Sequence, residues 1–521
     1  MSGPCRMRNL SALAVAVVTL LTGACASTVE QGQGQTTVGQ GSTAVGSTGG
    51  LVGQGGGVTA PGAVGGQALS APSAVAGAIQ ASGGSASAPS PGSVGAPGAP
   101  GAVAPAGSSG RGFTATKVWI GFNTWEDVGK VGDLVGAPGG QGLDFGDQKA
   151  YVNAVVANAN KHGGLAGRQI IPVIYDSKTQ ELATSGGAAA TQAACALWTQ
   201  DTPVFAVSYI DGTGLSDHQI AACLSKVQVP MVEANYVGMF PWLAQYPLVW
   251  APMSATIPRY FPAVVRRAKA RGYFGGWDTT LGQPGTAPVK VGIQTNDTLY
   301  GDFFIKVLTQ AVKAAGYPVV ATAEVAGLDS SSAQAAVLKF KQAGVTHVIP
   351  MGGCVNGHLA FMEAAENQHY RPRYLLHTGN CPELLERLIP KGQWNGAIGA
   401  GIQPATDVDF AHDPGDPSPA RARCKQIMRD GGQDPNRARD SFLFMVWVCD
   451  GFDFLSAAIR AGGLLSAQGF LQGAQSIRAL PASATFGESF PGRRDGPSAL
   501  RDLVFSSSCQ CTMYLGGNHP F

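Results

Sequence analysis

The chain reads as an α/β protein in which two similar lobes follow one another, each built on a parallel sheet covered on both faces by helices. Three observations predict it. From Phe113 onward, short runs rich in β-branched and aromatic residues alternate with segments whose apolar residues recur at helical spacing. The runs are almost continuously apolar, the pattern of strands buried on both faces of a parallel sheet. The alternation breaks over Gly275 to Pro288, rich in Gly, Pro and Thr, and then starts again.

The first strand is "TKVWIGFN". The helix "DQKAYVNAVVANANKHGG" comes after it, with Val152, Val155, Val156 and Ala159 on one face. Gly163 and Gly164 end it, because glycine takes the left-handed cap conformation without strain. "RQIIPVIYD" is the second strand. Next come helix "ELATSGGAAATQAACALWTQ", strand "PVFAVSY", helix "SDHQIAACLSKVQ", strand "VPMVEAN" and helix "PRYFPAVVRRAKARGY". After the break, strand "VKVGIQT" leads to helix "GDFFIKVLTQAVKAAG", which sets Phe304, Val307, Leu308 and Val312 on one face. Strands "YPVVATAEV", "THVIPMG" and "YRPRYLLHTG" then alternate with helices "SSAQAAVLKFKQAG" and "NGHLAFMEAAENQ".

The N-terminal part differs. Arg6 and Arg8 precede an apolar run of about 15 residues and then Gly23, Ala24 and Cys25, the layout of a secretory signal and short for a membrane span. "LLTGAC" resembles a bacterial lipobox, which implies a lipidated Cys25. From Gln31 to Gly110 no residue is charged or aromatic, so little apolar area is available to offset ordering entropy. Such a tether, about 80 residues long, spans roughly 50 Å as a coil.

A formal net charge of +2 gives no field to draw nucleic acid, and no basic run with interleaved aromatics occurs. Setting aside Cys5 and Cys25, the ten cysteines leave Cys195, Cys223, Cys354, Cys381, Cys424, Cys449, Cys509 and Cys511. An even number in an exported chain favours disulfides over metal sites or free thiols.

Enzyme signatures are missing. In "NKHGGLAGRQIIPVIYD" the glycines come after a helix and precede a strand, the wrong end for a dinucleotide phosphate, and neither a phosphate loop nor a G-x-S-x-G elbow occurs. Cys354 and His358 have one-turn spacing, but a disulfided Cys354 and a surface His358 are the simpler reading. Cys509, Cys511 and His519 offer three zinc ligands without a fourth nearby. Asp407 and Asp409 fall on an expected loop, where solvated carboxylates are the default. No catalytic residue, metal or cofactor is assigned.

"GLDFGDQKAYVNAVVANANKHGGLAGRQIIPVIYDSKTQ" resembles a segment of type I periplasmic solute-binding proteins, the leucine/isoleucine/valine-binding group. "TNDTLYGDFFIKVLTQAVKAAGYPVV" looks like the opening of that family's second lobe, and "AAVLKFKQAGVTHVIPMGG" like the next helix and strand of the same lobe. The likeness covers roughly Lys117 to Gly517, and "GG-x-x-GR" is its most specific motif. It implies two Rossmann-like lobes with parallel sheets, joined by a three-segment hinge near Trp250 to Thr256, Gly399 to Thr406 and Leu480 to Phe486. In this reading residues 1–24 are the signal and 25–112 the anchor and tether. The first lobe is 113–253 plus 405–483 and the second 254–404 plus 484–521. "DSFLFMVWVCDGFDFLSAAIRAGG" resembles the long first-lobe helix after the second crossover.

The resemblance implies a lipid-anchored, extracytoplasmic component of an ABC importer that closes on an amino acid or similar small polar solute. Its partners would be permease subunits and the membrane; a sensory module on the same fold is the alternative. The implied ligand contacts are Asn123, Trp125, Asp211, Gly212, Thr213, Asn235 and Tyr236 in the first lobe, with Tyr300, Asn356 and Asn380 in the second. "DGTG" stands where amino-acid binders often carry a Ser/Thr cluster, which leaves Asp211 as a partner for a cationic or hydroxylated solute, or as a cap of the helix after it. Disulfides should stay within lobes. Cys195 with Cys223 and Cys424 with Cys449 are the first-lobe pairs, while Cys509 with Cys511 would close a small, strained ring.

Overall fold

The computed structural model describes residues 109–126, 144–178, 187–210, 215–234, 242–295, 301–326, 329–352, 356–415, 418–486 and 493–521. The expected signal, Cys25 and most of the expected tether lie outside the described residues. Strands β1 (Lys117–Trp125), β2 (Gln169–Ser177), β3 (Ala206–Ile210), β4 (Met231–Ala234) and β5 (Val249–Trp250) form a sheet in the order β2-β1-β3-β4-β5. All its pairings are parallel. Helices α1 (Gln148–Lys161), α2 (Ala188–Ala196) and α3 (Asp217–Lys226) link these strands. The expected helix through Gln200 changes after α2 to a π-turn over Leu197–Asp201, around the fully buried Trp198.

The glycine turn after α1 is structural. A Cβ on Gly164, whose φ is +67°, would lie 1.9 Å from the carbonyl oxygen of Arg168. Asn160 then clasps β2: its Nδ2 donates to the Ile170 carbonyl at 3.0 Å, and Ile170 N–H donates to its Oδ1 at 2.7 Å. A side-chain amide here serves backbone groups that the sheet edge at β2 would otherwise leave unpaired.

The second lobe begins with α4 (Ile257–Ala270). The segment expected as a loop holds a short antiparallel pair, β6 (Trp277–Asp278) and β7 (Gln283–Pro284). Trp277 pins it down by burying its ring and donating Nε1–H to the Arg371 carbonyl at 2.9 Å. Strands β8 (Val291–Thr295), β9 (Val319–Glu324), β10 (His347–Met351), β11 (Arg373–His377) and β12 (Ile398–Gly401) run parallel in the order β9-β8-β10-β11-β12. Helices α5 (Gly301–Ala314), α6 (Ser330–Ala343), α7 (Asn356–Asn367), α8 (Pro382–Glu386) and α9 (Pro404–Asp407) accompany them.

The chain then returns to the first lobe with α10 (Pro419–Asp430), α11 (Arg439–Gly462) and α12 (Ala467–Ser476). Phe442 to Ile459 of α11 share one core with Phe122, Val152, Ile210 and Val232. By length and composition α11 could cross a membrane, yet 89% of its apolar window is buried inside the fold, as in a core helix. Each sheet separates two apolar clusters: Val118 and Phe122 point to one and Val207 and Tyr209 to the other, while Ile293 and Leu375 oppose Val348 and Tyr374.

The second sheet departs from the expected all-parallel form. β13 (Ala499–Ser506) and β14 (Cys511–Pro520) join beside β12 as an antiparallel hairpin. A short turn suffices for an antiparallel pair, whereas another parallel strand would need a long crossover. Leu500, Leu503 and Phe505 bury apolar surface from this hairpin in the second-lobe cores.

The chain passes three times between the cores, and the passages lie side by side. Ala251 N–H donates to the Arg494 carbonyl at 2.8 Å, and Gly496 N–H donates to the carbonyls of Ala251 at 3.1 Å and Ser254 at 2.8 Å. Gln403 Nε2 donates to the Met253 carbonyl at 3.0 Å, and Phe486 N–H to the Ile402 carbonyl at 3.1 Å. Disulfides join Cys195 to Cys223, Cys424 to Cys449 and, in the turn between β13 and β14, Cys509 to Cys511. Cys381 is also disulfide-bonded, and Cys354 lies outside the described residues. The Cys509–Cys511 bridge that ring size argued against is therefore present, accommodated by a turn in which Gln510 takes a φ of +56°.

Candidate ligand-binding cleft

Ligands of open α/β sheets sit beyond the carboxyl ends of the strands, and the expected contacts belong there. Asp211, Gly212, Thr213, Asn235, Tyr236 and Tyr300 lie outside the described residues, as does the side chain of Asn356. The other three are Asn123, Trp125 and Asn380. Asn123 is fully buried and ties β1 to β3, donating from Nδ2 to the Ile210 carbonyl at 2.6 Å and accepting Ile210 N–H at 2.8 Å. It fixes the end of β3 at Ile210. Asn380 is equally buried: its Oδ1 accepts His377 N–H at 3.1 Å and its Nδ2 donates to the Leu375 carbonyl at 3.0 Å, shaping its own turn.

Trp125 ends β1 and donates its N–H to Gln148 Oε1 at 3.0 Å. It lines a cavity of about 430 Å³ with Glu126, Asp144, Gln148, Lys149, Asp176 and Arg437. Thr124 Oγ1 donates to Asp176 Oδ1 at 2.6 Å and Lys149 pairs with the same carboxylate, which raises the Lys149 ammonium pKa against a smaller lowering by burial. Arg437 Nε lies 2.5 Å from Asp144 Oδ2. The wall thus carries charges of both signs, and Gln148, 2% exposed, keeps a buried Nε2 without a hydrogen-bond partner. Gly146, with φ +65°, shapes the rim, since a Cβ there would lie 1.7 Å from the Tyr151 hydroxyl.

At the strand ends of the second lobe stands a buried polar group. His358 is not on the surface as expected but fully buried, with Nδ1 2.7 Å from Gln294 Oε1. Burial, then the neighbouring His377, pulls its pKa down to about 3. His377, whose Nε2 donates to the Pro350 carbonyl at 2.7 Å, is pulled down to about 4 by burial. Both imidazoles are neutral near pH 7, and His358 Nε2, His377 Nδ1 and Gln294 Nε2 are buried without a hydrogen-bond partner.

Asp407 is likewise no solvated loop carboxylate. It is fully buried at the end of α9, accepting from Thr378 Oγ1 at 3.0 Å, the Tyr514 hydroxyl at 2.5 Å and Gln403 N–H at 3.1 Å. Burial pushes its pKa up to about 7, with the hydrogen bonds opposing. The zinc trio is altered too: His519 lies against Asp502, and His412 takes its place beside Cys509 and Cys511.

No protein-family model matches the chain, and no curated protein matches it by sequence. Solved structures do. An ABC transporter solute-binding protein from R. palustris in complex with 4-hydroxybenzoate is 16% identical with a TM-score of 0.55, over 77% of this chain and 96% of that one. A branched-chain amino acid ABC transporter protein from Thermus thermophilus with bound valine is 16% identical with a TM-score of 0.55, over 78% and 97%. A possible leucine/isoleucine/valine-binding protein from Rhodopirellula baltica SH 1 is 13% identical with a TM-score of 0.53, over 76% and 96%. The chain has the type I solute-binding fold.

Within this type I fold, sequence reasoning missed the cavity at the end of β1. Gln148 and Lys149 open α1 and stand close to Trp125, so a search of the strand-to-helix junction could have found them. Arg437 lies almost three hundred residues away and no local signal points to it. Gln294 and His377 carried a readable signal, a polar residue inside an otherwise apolar strand.

Proposed function

We propose that the protein is an exported solute-binding component of an ABC importer, held to the outer face of a bacterial membrane through lipidated Cys25. Its lobes close on a small organic acid, either an amino acid or an aromatic carboxylate. One observation carries the reading: two separately packed α/β cores are joined by three adjacent chain passages, an arrangement suited to hinge closure. The proposed lobes are 113–253 plus 405–483 and 254–404 plus 484–521. Asp211, Gly212, Thr213, Asn235 and Tyr236 would grip the solute from the first lobe and Tyr300 and Asn356 from the second. Trp125 and the mixed charges of the adjoining cavity favour a solute that itself carries charge. The ligands of the structural neighbours, valine and 4-hydroxybenzoate, support a carboxylate.

A thermal-shift screen against amino acids and hydroxybenzoates tests the proposal, since a ligand at a hundred times its Kd adds about 2.7 kcal/mol. With the ligand found, Asp211→Ala and Tyr236→Ala should each raise Kd roughly tenfold; unchanged affinity in both places the site elsewhere. Cys25→Ala should release the protein from membranes, and firm association in that variant removes the anchor.

A further inference from the structure

The turn between β13 and β14 brings Cys509 and Cys511 beside a residue almost a hundred positions earlier. His412 places Nε2 3.6 Å from Cys511 Sγ. Its Nδ1 lies 2.7 Å from Asp409 Oδ1, which also accepts His412 N–H at 2.8 Å. With Nδ1–H donated to the carboxylate, Nε2 is left with its lone pair on the side of Cys511 Sγ, the arrangement that orients metal-binding histidines. Ligand atoms of His412, Cys509 and Cys511 all lie within 4.8 Å of one another. Around tetrahedral zinc, sulfur and nitrogen ligands stand about 3.5 to 3.8 Å apart, given metal distances near 2.3 and 2.0 Å. The His412 to Cys511 separation already fits.

We propose that this disulfide, once reduced, is a binding site for a thiophilic divalent cation of the zinc type. Cys509 and Cys511 thiolates and His412 Nε2 are the ligands, and Asp409 is the orienting carboxylate. Two equivalents of an external thiol open the bond, yielding two cysteine thiols and one external disulfide. The cation then displaces the two thiol protons to solvent, so two thiolates and a neutral imidazole balance its charge. The fourth position is open to water. Cys509 is exposed, so small thiols reach the bond, and Asp409 lies close enough to Glu386 to act on its carboxyl, which places the cation among acidic neighbours.

The site also spans the two lobes. Phe410, two residues before His412, packs on Phe442 of α11 in the first core, whereas Cys511 opens β14 of the second sheet. A bound cation would therefore clip the segment after the second passage to the second-lobe hairpin.

The test is anaerobic Co²⁺ titration of the full exported chain, before and after mild phosphine reduction, with alkylation mapping of the opened cysteines. The reduced protein should take up one equivalent with a thiolate-to-cobalt charge-transfer band that Zn²⁺ abolishes, and the oxidised protein none. Cys509→Ser, at an exposed position, should lose the band. His412→Gln should weaken binding at least about tenfold, and Asp409→Asn, acting through His412, about tenfold. No charge-transfer band after Cys509 and Cys511 are opened, or an unchanged band in Cys509→Ser, overturns the proposal.

Discussion

The lobes meet in two regions of different chemistry. Along the hinge, backbone groups make the contacts across, Ala251 N–H to the Arg494 carbonyl at 2.8 Å among them, and buried carboxylates brace either side: Asp450 of α11 accepts both Ser483 N–H and Ala484 N–H at 2.8 Å, and Asp495 accepts Thr256 N–H at 2.9 Å and Arg259 Nε–H at 2.9 Å. Between α8 and the start of α11, long side chains make them. Arg387 spans Asp440 at 2.7 Å and Glu383 at 3.1 Å, and Arg439 pairs with Asp413 at 2.8 Å while donating to the Pro404 carbonyl. The first region holds the passages in register and cannot part without orphaning amides. The second is held by charged side chains, so its strength depends on salt and pH.

The largest effect should come from breaking the hinge side. Asp450→Ala leaves two buried N–H groups unserved and should cost about 3 kcal/mol, read as a lower denaturation midpoint at unchanged m-value. A loss below about 1 kcal/mol would show that the third passage is held by its packing instead.

Next is pH. Burial pushes Asp407, Asp450 and Glu383 up to about 7 and Glu386 up to about 8. A raised carboxyl contributes stability that is fully present below its unfolded pKa and is lost as pH rises through the folded one. Stability should therefore fall by on the order of 2 to 3 kcal/mol between pH 6.5 and 8.5. His347, His358 and His377, depressed to about 4, 3 and 4 chiefly by burial, act in the opposite sense only below about pH 6.5, so they leave this window undisturbed. Glu383→Gln separates the regions: a flatter slope assigns part of the effect to the side-chain contact, an unchanged slope places it elsewhere.

The smallest effect should come from Arg387→Ala. It deprives the nearly buried Asp440 of its guanidinium and should cost about 1 to 2 kcal/mol, with the gap to the parent protein narrowing at high salt. A salt-independent loss would mean that Arg387 acts through the packing of its stem.

Local order in the chain was enough for the alternation of strands and helices, the glycine turn and the split into two lobes, because periodicity and left-handed glycines act within a few residues. Gly164 and Asn160 do in the fold what their neighbours in sequence require of them. The same logic puts ligand contacts beyond the strand ends and counts Asn123 and Asn380 among them, whereas both amides are buried against backbone groups. An isolated Asn gives no sign whether its amide faces solvent or substitutes for a backbone partner. Tertiary structure alone decided that Asp407 and His358 are buried, that Arg437 meets Trp125 across one cavity, and that His412 rather than His519 stands beside Cys509 and Cys511. Each of these depends on where distant segments pack, and burial, charge pairing and ligand geometry are set by proximity in space, which spacing along the chain does not encode.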